Sequence, residues 1–176
     1  VQTCALPIFA GRLAVGTFLE SVRKAAVEER TDRIVQFVAS LGARAAWRIV
    51  PIEDRRQELL QLEAAWAERL AGDDTPECRR IAFWAYQQAA LSREACRRLE
   101  RYIEGEAIGP EVRLSERERV SVALALAVAT DTVDPIEMVG RMLASADEQA
   151  RVRFLGSAVA VLETEREALF ETLCAD

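Results

Sequence analysis

The chain contains no histidine, and that absence excludes more chemistry than any residue present. Without His there is no Ser-His-Asp triad, no Cys-His nucleophile pair and no His-containing zinc site. Asparagine is missing as well, and Lys24 is the only lysine among 23 basic residues. Glycine and proline are scarce, at eight and five. No apolar run approaches the roughly 18 residues of a membrane span, which excludes a spanning helix. The four cysteines, Cys4, Cys78, Cys96 and Cys174, are too far apart for a C-x-x-C metal or redox motif. Cys96 shares a helical face with Leu99 and Ile103 and reads as a buried thiol.

The chain has 176 residues, 51% of them hydrophobic and 30% charged, with a net charge of −6. A chain of this size can bury roughly 70% of its unfolded surface, so a real core is expected within one domain. Acidic and basic residues are interspersed, which argues against a nucleic-acid partner held by phosphate neutralisation. Thirty alanines and the near-exclusive use of Arg point to GC-rich coding. Residues 1–8 do not belong with the rest of the chain: they resemble a translated sequencing adapter, as in an assembled read, and are set aside. The expected organisation is therefore residues 1–8 as an extraneous or disordered segment and residues 9–176 as a single helical domain, cut at both ends.

Beyond residue 8 the apolar residues keep to the helical period. Examples are Leu59, Leu62 and Trp66; Cys96, Leu99 and Ile103; Ile136, Val139 and Leu143; and Val152, Leu155 and Val159. Thr75-Pro76 and Asp134-Pro135 place a capping side chain before a proline at the first helical position. Ser115/Glu118, Ser145/Glu148, Thr164/Glu167 and Asp134/Glu137 have capping-box spacing. The spacing predicts helices at 10–28, 31–41, 43–50, 53–71, 76–90, 93–104, 115–130, 135–145, 147–161 and 165–174, with no sheet. The longest connector, 105–113, contains the turn pair Gly109-Pro110 and is the one plausible seam, dividing 9–104 from 114–176. Paired helices recurring about every 40 residues predict an all-α fold of stacked antiparallel helix pairs, a HEAT- or armadillo-like irregular superhelix. An irregular bundle is the competing arrangement.

No residue carries a chemical motif, and the expected catalytic and metal-ligating sets are empty; substrate-binding residues are not assignable from the sequence. The clusters Glu28-Glu29-Arg30, Glu53-Asp54-Arg55-Arg56 and Glu116-Arg117-Glu118-Arg119 read as solvated helix starts, where carboxylates meet the positive dipole end. Trp47, Trp66, Phe83, Trp84 and Tyr86 read as core between neighbouring helices, with the wall of a ligand cavity as the alternative. Arg79, Arg80, Arg97, Arg98 and Arg101 could line a concave face that receives an anion.

Residues 30–173 resemble the C-terminal helical domain of bacterial zinc aminopeptidases of the aminopeptidase N family, the gluzincins. The pieces that carry the resemblance, in order, are Ala46-Trp47-Arg48 with Pro51, Leu62-Glu63-Ala64 with Trp66, and Ala82-Phe83 with Ala85-Tyr86. They continue with Ala90-Leu91-Ser92, Leu114-Ser115-Glu116, residues 123–128, Arg153-Phe154 and Leu169-Phe170. The chain departs from the family pattern at Gly156-Ser157-Ala158, where a proline is usual. The resemblance implies a non-catalytic domain that covers the active-site chamber of a parent enzyme and restricts access to peptides. It places zinc, bound through H-E-x-x-H, in the parent's other domain and no cofactor in this chain. The implied partners are that catalytic domain and its peptide substrates, with neither nucleic acid nor membrane. A free-standing helical-repeat scaffold that binds a protein is the alternative. The compartment stays open, with the cytoplasm favoured over periplasm or secretion.

Overall fold

The structure, a computed structural model, describes residues 14–72, 74–109, 112–159 and 163–174. Residues 1–8 lie outside them. The fold is all-α. Nine helices are described: α1 Val15–Glu28, α2 Asp32–Arg48, α3 Ile52–Ala71, α4 Pro76–Ala89, α5 Arg93–Glu104, α6 Glu116–Thr130, α7 Asp134–Met142, α8 Ala146–Ala158 and α9 Glu163–Cys174. No strand occurs among the described residues; a lone bridge joins Gly109 and Val112.

The helices form two compact units. The first runs to Ser92 and takes in Ile108–Val112; the second comprises Arg93–Ala107 and the chain from Arg113 onward. The expected seam at 105–113 is therefore displaced, because α5 clusters with the helices C-terminal to it.

In the first unit, α1 packs on α2 and α3, and α4 packs on the same two helices from the other side. Its core is built by Leu19, Val22, Val35, Leu59, Leu62, Trp66, Ala82, Phe83 and Tyr86, each at most 5% exposed. The expected break at Gly42 does not occur, and 31–41 and 43–50 are one helix. A Cβ at Gly42 would lie 2.7 Å from Val22 Cγ1, so this glycine is where α1 and α2 approach closely and does not end a helix. Thr75 caps α4 as expected, its hydroxyl accepting from the Cys78 amide at 3.1 Å, with Pro76 in the first turn.

Buried charged side chains hold this unit's connectors. Arg69, 4% exposed, donates to the carbonyls of Ala26 at 2.7 Å and Glu29 at 2.8 Å, groups the end of α1 cannot satisfy itself. Its Nε pairs with Asp74 Oδ2 at 2.7 Å. Glu63, 8% exposed, accepts from the amides of Leu91 and Ser92 at 2.7 and 2.8 Å, fixing the chain after α4.

In the second unit each helix packs on the next, from α5 through α9. Leu99, Ile103, Val122, Leu126, Val139 and Val152 are almost fully buried. Gly105, at φ 111°, ends α5 in a conformation that favours glycine. Ser115 and Glu118 form the predicted reciprocal box at the start of α6. Ser145 accepts from the Glu148 amide at 3.5 Å. The other two predicted boxes are not formed: Asp134 and Thr164 both lie inside their helices. At α7 the bond comes from just before the helix, Thr132 Oγ1 accepting from the Asp134 amide at 3.3 Å.

Candidate functional site

The charge clusters divide. Glu53 and Asp54 lie in the first turn of α3, and Glu116 and Glu118 in that of α6, as a dipole argument requires. Glu28 instead ends α1, beside Lys24 at 4.0 Å. Glu29 turns forward and accepts from the amides of Arg30 and Thr31, both at 2.8 Å, which organises the entry to α2. Those backbone bonds hold its carboxyl below the ordinary 4.5.

The Cys78 thiol is structural. Cys78 is buried, and its Sγ donates to Asp32 Oδ1 at 2.7 Å. Burial first, then that carboxylate, push the thiol's pKa up, away from the reactive thiolate. Cys96 is buried as expected, and Cys174 is exposed. The chain has no His, and no group of three Cys, Asp or Glu gathers among the described residues.

The arginines singled out by sequence divide between the two units. Arg79 is buried in the first unit, donating to the Gly72 carbonyl at 3.2 Å and lying so close to Gly109 that a Cβ there would meet its guanidinium at 2.6 Å. Arg97, Arg98 and Arg101 belong to the second unit, where Arg101 pairs with Glu106 at 3.0 Å.

The aromatic group splits as well. Trp66, Phe83 and Tyr86 are core, whereas Trp47 and Trp84 are 37% and 43% exposed. Trp47 Nε1 donates to the Gln88 carbonyl at 3.0 Å, and Arg55 stands over the Trp47 ring at 6.0 Å. Asp32 and Cys78 join the first turns of α2 and α4, and Trp47 and Gln88 join their last turns. The two helices therefore run parallel, side by side, for about 20 Å. Arg33, Ile34, Arg44 and Arg48 share the outer side of α2, and Arg80 and Trp84 that of α4; all are exposed.

No carboxylate interrupts these two helices once they have begun. There is no Asp or Glu between Asp32 and Glu53, and none between Glu77 and Glu94. Charges that are mixed along the whole chain are segregated here. The absence of acids over two stretches was a signal available in the sequence, hidden by the overall average.

The second unit contains a groove of about 910 Å³ between α7, α8 and α9. Ile136, Val152 and Leu169 supply its apolar wall, and Glu137, Arg141 and Arg153 its charges. Several of its polar groups are engaged structurally. Gln149 donates to the Leu143 carbonyl at 2.8 Å, the Ser157 hydroxyl to the Arg153 carbonyl at 3.4 Å, and Arg141 lies 3.9 Å from Glu137. The groove can receive an apolar group, but the serine has no base beside it among these partners.

No family model matches the chain, and no curated protein or solved structure matches it.

Proposed function

We propose that this chain is the C-terminal helical domain of a zinc aminopeptidase of the aminopeptidase N type, covering the active-site chamber of its parent and limiting which peptides enter. The chain would then contribute surface and shape, while the bond-breaking residues and the zinc belong to another part of the parent enzyme.

The observation that carries the reading is the set of large apolar side chains left at the surface. Among the described residues of the second unit these are Val128, Met142, Phe154 and Phe170. Single exposed hydrophobics are ordinary, but four of this size within one small unit suit helices that cover a neighbour. The resemblance adds to this, since several of its pieces fall on packing positions: Ala46, Leu62, Trp66, Phe83, Tyr86 and Leu114 are all buried. The stacked-repeat arrangement belongs to the same reading.

The test is the coding sequence upstream of this segment. The reading expects H-E-x-x-H in the same frame, on a helix, with a further Glu to complete the zinc ligands. A start codon just before Phe9, with no such motif in frame, favours a free-standing helical scaffold. That second reading draws on the exposed Trp47 and Trp84 beside exposed arginines, a composition common at protein interfaces.

A further inference from the structure

We infer that the outer face of α2 and α4 is a docking surface for a protein segment whose apolar side chains are flanked by carboxylates. This goes beyond the aminopeptidase reading and does not depend on it: it stands on the charge and exposure of this face alone.

Three observations carry it. The face holds two half-exposed tryptophans, Trp47 and Trp84, and the Trp47 indole is fixed by its bond to the Gln88 carbonyl. Rigid aromatic side chains that bury much area at little entropic cost are the usual anchors of protein interfaces. Around them stand Arg33, Arg44, Arg48 and Arg80, all exposed. Arg33, Arg44 and Arg48 form no ion pair among the described residues, although the chain carries 29 acidic residues to 23 basic ones. Finally, both helices are free of acids along their length after the first turn, so neither α2 nor α4 sets a carboxylate beside Arg44 or Arg48. The complement of such a face is apolar at its centre and acidic around it.

A protein segment fits better than the other anionic partners. Phosphate backbones are held by long runs of cations, and here four guanidiniums are set among Trp47, Trp84 and Ile34 in a chain of net charge −6. An anionic membrane would likewise be repelled by the rest of the molecule.

The experiment uses the full chain and a short fluorescein-labelled peptide of leucine, phenylalanine and glutamate, read by fluorescence anisotropy. The expected result is saturable binding that weakens as salt rises. The same peptide with lysine for every glutamate should bind at least about tenfold more weakly. Arg44→Glu with Arg48→Glu should reverse that preference, so that the lysine peptide now binds better. Trp84→Ala should weaken binding of the acidic peptide about tenfold or more. Arg97→Glu, an exposed charge reversal on α5, should change nothing. Far-UV circular dichroism establishes that each variant is folded. The inference is overturned if the acidic peptide does not bind, if the lysine peptide binds the parent chain equally well, or if Arg97→Glu acts like the α2 reversal. It is also overturned if a single-stranded oligonucleotide or phosphatidylserine vesicles bind more tightly than the peptide.

Discussion

Replacing Arg69 by methionine should be among the most damaging single substitutions in the first unit. Methionine fills a similar stem but donates nothing. The change would strip the carbonyls of Ala26 and Glu29 of their donor and leave Asp74, whose side chain is 7% exposed, with only the exposed Arg30 at 3.7 Å in place of the buried Arg69 at 2.7 Å. Removing one partner of a buried ion pair costs about 3–5 kcal/mol, because the remaining charge stays desolvated. The two carbonyls raise the cost further only where water cannot reach them, so about 3–5 kcal/mol is the working figure. Against a typical total of about 5–15 kcal/mol, that is enough to shift a urea midpoint far toward native buffer. The assay is urea unfolding followed by circular dichroism and by tryptophan fluorescence. Arg69→Met with Asp74→Leu supplies the control: with both charges gone, the double variant should be more stable than Arg69→Met alone. An Arg69→Met variant within about 1 kcal/mol of the parent would refute the reasoning, as would a double variant whose losses simply add.

Two further outcomes rest on the same packing. Gly42→Ala improves helix propensity by up to about 1 kcal/mol, but its Cβ would meet Val22 Cγ1 at 2.7 Å, and overpacking costs about 1–3 kcal/mol. The net effect should be destabilising, and it should shrink in a Val22→Ala background when both are compared by thermal melting. Glu29 gives a pH dependence. Its carboxyl is held below the ordinary 4.5, so the folded chain binds that proton less readily than the unfolded one. The stabilisation is complete above 4.5 and is lost as pH falls through the lower folded value. Glu29→Gln should therefore flatten the acid limb of a stability–pH profile and have least effect on its slope near neutrality, as read from urea midpoints across an acid titration.

Much of the fold is legible in the sequence because helix periodicity and capping are local. The Ser115/Glu118 box and the Thr75-Pro76 start need only residues within one turn, and both form as expected. Gly42 is misread because its role is set by Val22, twenty positions earlier, and nothing local distinguishes a packing glycine from a helix end. Asp134 and Thr164 have the right spacing to cap, yet the neighbouring backbone starts the helix one or more residues sooner. The candidate surface is harder to read. Trp47 and Trp84 sit in segments otherwise dense with core residues, and only the pairing of α2 with α4 shows which tryptophans face outward. The acid-free stretches were visible from the start, but their meaning depends on two helices lying side by side.

Hydroxyl-radical footprinting can compare the isolated chain with the complete product of its gene. If these helices cover a neighbouring catalytic domain, Met142, Phe154 and Phe170, all exposed in this structure, should oxidise readily in the isolated chain and be protected in the complete protein. Equal oxidation of all three in both samples would contradict the account.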